Sequence, residues 1–444
     1  MRAFLNRRFA LEERGSTVPR ELRGAVATFL TMAYILVINP DILAAAGVPR
    51  ASAITCTAAA AGICCILMGF VANFPLALAS GMGLNAIVAF QLAPRMGGWQ
   101  AAMGLIILDG LVMLVLVFLG FREKMLDAIP RDMRRAIGAG IGLFIAFIGA
   151  VNAKLVIVPP GTLHELIQDP HKTLPPVTFG SLMQPEAAVA MIGLLVTALL
   201  VARRLRGAIV IGILFGTIVG ACFGLVHWPS EFTAPSFAIV AQADVLAALK
   251  LSFVPLLLAV LMVDFFDTLG TVTGVAEQAK LTDEKGQIPQ LREVLLVDSA
   301  AASIGGFMGV SSVTSYIESA AGVAEGARTG LHSIFVGLLM LLAIVAAPLL
   351  VIVPSAATAP ALILIGFLMA THMAAIDFNQ LETAIPSFLI LVTLPFTYSI
   401  AHGIGFGFIS YMAIMVLSGR FREVHWLMYV AALLFAAYFA WDPA

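Results

Sequence analysis

Apolar residues form long runs along this chain, separated by short polar or glycine-rich breaks. Each run is close to the roughly 20 residues that a helix needs to cross a membrane. Read as helices, there are about fourteen, near residues 22–40, 53–71, 75–92, 98–120, 133–150, 186–203 and 207–226, and then near 248–272, 291–307, 312–326, 330–353, 358–374, 383–400 and 403–418. A last apolar stretch, Trp426 to Trp441, is either a further span or a helix lying in the interface.

Composition narrows the class of protein. The chain has 444 residues, of which 61% are hydrophobic and 11% charged, whereas a soluble domain carries about 25% charged residues. With 25 basic against 26 acidic residues, it lacks the positive charge of a nucleic-acid-binding protein. The absence of a GxxxxGKS/T motif excludes a nucleotide-driven pump. The sequence predicts an all-α polytopic membrane protein without a cofactor or a metal, since its histidines form no metal-ligand cluster.

Basic residues are unevenly distributed between the loops of the two sides. With residues 1–21 placed in the cytoplasm, about 20 of the 25 lysines and arginines fall in cytoplasmic segments. The N-terminal segment also lacks the apolar core and the small-residue cleavage site of a secretory signal. We therefore predict a multi-pass protein of the cytoplasmic (inner) membrane with a cytoplasmic N-terminus.

The spans divide into two equal sets. An odd number, about seven, in each set gives the second set the opposite orientation, which is typical of the inverted repeats of secondary transporters. We predict a first repeat over residues 22–230, a second over 248–418 and a C-terminal segment over 419–444. The third and tenth segments match in position, and both are short and interrupted by small residues.

The two interrupted segments are candidates for a binding site. Gly81 and Gly83, near Ser80 and Pro75, allow the third segment to break. The tenth segment has a matching set of small polar residues, Ser311, Ser312, Thr314 and Ser315. A helix that ends within the bilayer leaves backbone N–H or C=O groups that a ligand can satisfy. Close helix packing is the alternative, but the occurrence of such segments in both halves favours a site.

Acidic residues within predicted spans mark the same region. Each costs at least about 2.5–3.5 kcal/mol at the bilayer centre, so each needs a function or a partner. Asp264 and Asp267 are three positions apart and share a helix face, and Glu318 lies in the tenth segment. No lysine or arginine lies beside them, so they must be protonated or satisfied by polar groups, a ligand or a cation. A proton-coupled carrier of a neutral, hydrogen-bonding solute needs such a group of acids.

Other residues have two interpretations each. Asp109 and Asp298 could have a function in transport, but a structural role, in which the carboxyl group bridges neighbouring helices, explains them equally well. Phe265, Phe266 and Tyr316 can stack on a planar ligand, although core or lipid-facing aromatic residues are at least as common. The candidate substrate-binding residues from this reasoning include Phe266, Thr314 and Ser315.

Several runs resemble one known family. GAVATFLTMAYILVINP at 24–40, LASGMGLNA at 78–86, VDFFDTLGT at 263–271 and TSYIESAAGVAEGARTGL at 314–331 resemble the adenine/guanine/hypoxanthine permeases, the AzgA-like branch of the nucleobase–cation symporters. The resemblance implies two inverted repeats of seven helices. It also implies a core domain of spans 1–4 and 8–11 that carries substrate, and a gate domain of spans 5–7 and 12–14 that often mediates dimerisation.

Carried over by motif, the resemblance also implies the residues of a purine site. They are Gly83, Asn85, Asp264, Asp267 and Glu318. The sequence departs from the family pattern at Ser80, where proline is expected, and at Phe265, where leucine is more usual. Neither departure removes a polar group that could contact a ligand, although Ser80 can alter how sharply the third segment breaks.

The sequence therefore predicts a proton-coupled importer of adenine, guanine and hypoxanthine rather than an enzyme. Asp264, Asp267 and Glu318 are the candidate proton carriers, because acids that share a low-dielectric site are costly to ionise together. Coupling to Na⁺, and carriage of uracil, xanthine or an anion on the same fold, stay open as alternatives. An anion carrier would present a positive site, and an enzyme would need a nucleophile–base pair or metal ligands. The expected partners are a purine base, a proton, the bilayer and a second copy bound through the gate domain.

Overall fold

The computed structural model describes residues 2–120, 129–158, 177–205, 207–226, 234–282, 288 and 290–441. Within these ranges, 8 helical segments are long and apolar enough to cross a membrane by themselves. The predicted all-α polytopic class is confirmed.

The first repeat follows a short N-terminal helix, Arg2–Phe9, and contains every predicted span. Its helices are Val18–Met32 with Ile35–Ala44 (span 1), Arg50–Val71 (span 2), Met82–Ile87 with a π-helical turn Val88–Leu92 and Ala93–Met96 (span 3), Trp99–Phe118 (span 4), Arg131–Asn152 (span 5), Pro185–Ala202 (span 6) and Ala208–Cys222 (span 7). A strand, β1 (Leu78–Ser80), precedes the span 3 helix. Strands β2 (Val156–Ile157) and β3 (Thr178–Phe179) pair between spans 5 and 6.

The second repeat has the same order of elements. After the short helix Val245–Ala248 and a 3-10 turn Leu251–Phe253, its helices are Val254–Ala279 (span 8), Leu291–Phe307 (span 9), Ser319–Ala324 (span 10), Gly330–Ala343 with the 3-10 turn Ile344–Ala346 and Ala347–Leu350 (span 11), Ser355–Ala370 with the 3-10 turn Thr371–Ala375 (span 12), Leu381–Phe396 (span 13) and Ile400–Leu417 (span 14). Strand β4 (Val313–Ser315) precedes the span 10 helix. Span 8 begins at Val254 rather than near 248, because Pro255 has no N–H and its ring clashes with the carbonyl four residues earlier, which stops the α-helix from extending further toward the N-terminus.

The two repeats interlock through equivalent contacts. Span 2 packs against span 11, and span 9, the equivalent of span 2, packs against span 4. Spans 5 and 12, which are equivalent to each other, also pack together. Spans 1–4 and 8–11 thus form one packed group, the core group, and spans 5–7 and 12–14 form a second, the gate group.

Glycines bring spans 5 and 12 into backbone contact. A Cβ added to Gly142 would lie 2.6 Å from the carbonyl oxygen of Gly366, and a Cβ added to Gly366 would lie 2.4 Å from that of Gly142. Larger residues cannot occupy either position at this helix separation. Small residues at the contact are usual where helices pack in a membrane, because burial of apolar surface does not favour helix association in lipid.

A final helix, Trp426–Trp441, packs lengthwise against span 14. The ring centroids of Phe408 and Phe435 are 6.0 Å apart, and those of His402 and Tyr438 are also 6.0 Å apart. The order of these pairs makes the two helices antiparallel. The helix has 16 residues and is about 24 Å long.

Candidate substrate-binding site

The two interrupted spans meet inside the core group through their strands. Strands β1 and β4 pair antiparallel, with Ala79 opposite Thr314, and every residue of both strands is buried. The pairing continues where Gly81 N donates to Ser312 O at 2.9 Å. The predicted breaks in spans 3 and 10 are confirmed. Within the two strands, the pairing supplies the backbone hydrogen bonds, and the expectation that a ligand satisfies the free backbone groups at the helix ends stays a prediction.

Small and hydrogen-bonding residues allow β1 and β4 to lie close together and stabilise their contact. A Cβ added to Gly81 would lie 2.8 Å from Thr314 Cγ2, so a larger residue would push the strands apart. The hydroxyl of Tyr316 donates to Ser80 O at 2.6 Å. Tyr316 therefore acts as a structural tie in this arrangement, and it is 5% exposed.

Asn85 lies on the short helix that follows β1. It is fully buried, and within the described residues neither its amide oxygen nor its amide nitrogen makes a hydrogen bond. Leaving a buried polar group unsatisfied costs about 1–3 kcal/mol. Such a group in a native structure calls for an explanation, and a ligand that pairs with it is one.

Gly83 places this short helix at the boundary between the core and gate groups. A Cβ added to Gly83 would lie 2.8 Å from Ile141 Cγ2 in span 5 and 3.9 Å from Val263 Cγ1 in span 8. The helix that carries Asn85 thus packs against span 8, the span of Asp264 and Asp267. The structure brings the predicted segments of spans 3 and 8 together.

The two acids of span 8 differ in burial. Asp264 is 1% exposed and accepts a hydrogen bond from Ser312 Oγ at 3.3 Å. Asp267 is half-buried, and its span packs against β4 and against the short helix that follows Glu318. The predicted group of acids from spans 8 and 10 is therefore a spatial group.

Glu318 directly precedes the short helix of span 10 and is half-buried. One of its carboxylate oxygens accepts a hydrogen bond from the hydroxyl of Tyr34, which lies where span 1 is interrupted between its two helices. The sequence reasoning did not select Tyr34 as a site residue. The available signal was a hydroxyl at the middle of a predicted span, at the depth of the acids.

Asp298 has a structural environment. It accepts hydrogen bonds from Ser315 N at 3.1 Å, Ser315 Oγ at 2.8 Å and Thr268 Oγ1 at 2.6 Å. Thr314 Oγ1 lies 3.1 Å from Thr268 Oγ1 in the same network. Asp298 therefore joins spans 8, 9 and 10, and the hydroxyls of Ser315 and Thr314 are used within the protein. Of the two interpretations of Asp298, the geometry favours the bridge between helices.

The remaining candidates are less informative. The side chain of Phe266 lies outside the described residues, and Phe265 packs in an apolar cluster with Met113 and Leu261. Asp109 is fully buried in span 4. In the part of the chain that the structure describes, no three His, Cys, Asp or Glu residues are placed to hold a metal ion.

Comparison with known proteins identifies the class. The sequence model of the permease family matches residues 20–406, and the chain belongs to that family. Guanine/hypoxanthine permease PbuG of Bacillus subtilis (strain 168) is 40% identical over 449 residues, which cover 97% of this chain and 98% of the relative. Adenine permease AdeP of Escherichia coli (strain K12) is 38% identical over 434 residues, which cover 97% and 95%. These relatives confirm the resemblance to the adenine/guanine/hypoxanthine permeases.

Solved structures identify the fold. The transmembrane domain of the cyanobacterium bicarbonate transporter BicA matches with a TM-score of 0.58 and 15% identity, over 89% of this chain and 97% of that one. SLC26A9 matches with a TM-score of 0.65 and 12% identity, over 90% of this chain and 66% of that one. At these identities the likeness concerns the fold alone, and the predicted architecture of two inverted repeats is confirmed.

Proposed function

We propose that the protein is a secondary active transporter that imports the purine nucleobases adenine, guanine and hypoxanthine across the cytoplasmic membrane by proton symport. The observation that carries the proposal is the buried amide of Asn85, which has no hydrogen-bond partner among the described residues and lies on a short helix that packs against span 8, the span of Asp264 and Asp267. Relatives named as guanine/hypoxanthine and adenine permeases support the substrate class.

Purine bases suit the polar groups at this position. Guanine and hypoxanthine present ring N–H donors, and guanine and adenine carry exocyclic amines. Ionised Glu318 or Asp267 would accept these donors in a charge-assisted hydrogen bond, and Asn85 can both donate and accept. Because the hydroxyls of Thr314 and Ser315 are hydrogen-bonded within the protein, we assign these residues to the support of the span 10 wall of the site, the wall that carries Glu318. Phe266 remains a candidate for stacking on the base.

Alternating access would come from movement of the core domain, spans 1–4 and 8–11, against the gate domain, spans 5–7 and 12–14. Gly83 supports this division because it lies where a core helix meets Ile141 of span 5. A base held beside Gly83 would move with the core domain past the gate domain. We also assign the surface for a homodimer to the gate domain, and the N-terminal segment to the cytoplasm.

Proton symport requires an acid that changes its protonation during the cycle. Asp298 already joins spans 8, 9 and 10 through its hydrogen bonds, so we assign it a structural role. Asp264, Asp267 and Glu318 are the candidate proton carriers. They would titrate as a coupled group rather than as independent residues.

Uptake of radiolabelled hypoxanthine into proteoliposomes tests the proposal. We expect saturable uptake driven by an imposed pH gradient, abolished by a protonophore and unaffected by a Na⁺ gradient at equal pH. Unlabelled adenine and guanine should compete, and uracil, xanthine and bicarbonate should not. The label recovered from the vesicles should be unaltered hypoxanthine, as expected of a carrier rather than an enzyme.

Each alternative has its own result in the same assay. Uptake driven only by the Na⁺ gradient would show that Na⁺, and not the proton, is the coupling ion. Competition by uracil, xanthine or bicarbonate alone would show that the substrate is not adenine, guanine or hypoxanthine. Flux that does not saturate would indicate a channel and would contradict a carrier of any substrate.

A further inference from the structure

The hydroxyl of Tyr34 reaches the acid of span 10 because span 1 is interrupted at this point. The backbone hydrogen bonds there include three-residue steps, such as Leu36 N to Ala33 O at 3.2 Å. Tyr34 is 2% exposed, and its hydroxyl donates to Glu318 Oε1. The contact therefore joins a fully enclosed side chain to a half-buried acid.

Span 1 is anchored to the second repeat on the N-terminal side of Tyr34. Glu21 is fully buried and accepts a hydrogen bond from Arg328 N at 3.0 Å. Thr28 Oγ1 lies 2.9 Å from His332 Nε2 in span 11. These contacts hold the first helix of span 1 against the spans that flank the acid, so the position of the tyrosine hydroxyl is set by the fold.

The hydrogen bond from Tyr34 to Glu318 determines whether the span 10 wall offers donors or acceptors to a ligand. A tyrosine hydroxyl has one proton, and once Tyr34 donates it to Glu318 the phenolic oxygen can only accept. The ionised carboxylate is also acceptor-only and keeps its second oxygen. The wall therefore presents acceptors, and a ligand must bring N–H groups to it.

We propose that Tyr34 is a positioning residue, which holds Glu318 in the orientation that discriminates between purine bases. This inference rests on the proposed function, because it concerns the choice among bases that the site would bind. Guanine and hypoxanthine carry a proton on N1, whereas adenine lacks it and offers its exocyclic amine. A carboxylate fixed by Tyr34 distinguishes these two donor positions, and a freely rotating carboxylate follows either one.

Tyr34→Phe keeps the ring and removes the hydroxyl. We expect the KM for the preferred base to rise about tenfold, near the lower end of what a hydrogen bond to a charged group is worth. The maximal rate of base exchange should be retained, because the ligand would still be bound and released at the same place. The ratio of the KM values for hypoxanthine and adenine should move toward one.

A double-mutant cycle tests whether Tyr34 acts through the acid. Tyr34→Phe, Glu318→Ala and the double variant are compared by equilibrium binding of radiolabelled hypoxanthine and adenine to the purified protein. If Tyr34 positions Glu318, the double variant binds no more weakly than Glu318→Ala, because residues in contact are not additive. Additive losses would overturn the proposal.

Thr31→Val is the matched control. It removes another hydroxyl from span 1, one that is half-buried and bonds to the carbonyl oxygens of Ala27 and Thr28 in its own helix, so it should leave the ratio between the bases unchanged. The proposal fails if Tyr34→Phe weakens all bases by the same factor, or if Thr31→Val shifts the ratio equally. Wild-type protein that binds no purine would instead overturn the proposed function, so the two failures are distinguishable.

Discussion

The strand–helix segments of spans 3 and 10 have the same backbone arrangement and different chemistry. Each has a 3-residue strand followed by a helix of 6 residues. The span 3 segment carries Asn85, which is fully buried and makes no side-chain hydrogen bond to any described residue. The span 10 segment carries Glu318, which is half-buried and already bonded to Tyr34. The inverted repeat thus supplies a symmetric frame for two unequal walls.

The strands differ in the same way. In β4, Thr314 and Ser315 belong to a network that ends on Asp298, whereas Leu78 and Ala79 of β1 are apolar and fully buried. The wall of span 10 is therefore organised before any ligand arrives, and fixed acceptors need no reorganisation on binding. The wall of span 3 keeps unmet hydrogen-bonding capacity, which penalises a ligand without matching groups.

Span 8 lies beside both walls, and removing its acids is the most severe test of the comparison. If the walls bind the base and span 8 carries the proton, replacing the carrier acid by Asn abolishes accumulation driven by a pH gradient and leaves base exchange intact. Both activities are measured in proteoliposomes for Asp264→Asn and Asp267→Asn. Should both variants still concentrate purine, coupling lies elsewhere, with Glu318, Asp109 and Asp298 as the next acids to replace.

Glu318→Gln tests the organised wall. The side chain keeps its shape but loses its charge and gains a donor, so purine affinity should fall by about 10- to 150-fold, as expected for about 1.5–3 kcal/mol. Binding of radiolabelled base to the purified variant measures the change. Glu293→Gln, an exposed acid at the start of span 9, is the control and should bind normally. Unchanged binding in Glu318→Gln would remove this residue from the site.

Asn85→Leu and Ser315→Ala should change stability in opposite directions. Asn85→Leu removes the unmet polar atoms, so without ligand the protein should gain about 1–2 kcal/mol while losing purine binding. Ser315→Ala removes a hydrogen bond to Asp298 and should lose about 1–2 kcal/mol. Unfolding in detergent without purine compares the two. Destabilisation by Asn85→Leu would mean that the amide is satisfied in the ligand-free protein.

Gly83→Ala probes the contact of the span 3 wall with the gate group and should have the smallest effect. Its Cβ would lie 2.8 Å from Ile141 Cγ2, and overpacking of about 1 kcal/mol corresponds to a roughly fivefold slower transport rate. Ile141→Ala in the same chain should restore part of the rate, because it removes the opposing methyl group. Normal transport by Gly83→Ala would indicate that the contact relaxes freely, and Gly83→Val would then be the stronger test.

The sequence located the parts of the site that have a local signature. Glycines and small polar residues at matching places in two apolar segments predicted both breaks, and the three-residue spacing of Asp264 and Asp267 predicted a shared face. Tyr34 and Thr268 have no such signature, because their partners are 284 and 30 residues away. A hydroxyl within an apolar run is compatible with many environments until the packing is known.

The packing of the spans was also beyond the sequence. Helices that are apolar all round show no periodic stripe that identifies the neighbouring helix. The number and order of spans, in contrast, follow from bilayer thickness and hydropathy, and these were predicted closely. The late start of span 8 shows that the ends of spans depend on local features such as Pro255.

The pairing of β1 with β4 has a consequence for biosynthesis. The strands are roughly 235 residues apart, so at about 5–20 residues per second β1 waits on the order of 10–50 s for its partner to be translated. During this interval the backbone N–H and C=O groups of β1 lack their hydrogen bonds to β4. Hydrocarbon cannot replace these bonds, and each unsatisfied group costs several kcal/mol. The nascent first repeat is therefore an incomplete folding intermediate that membrane proteases can recognise, and insertion of span 10 ends that vulnerability.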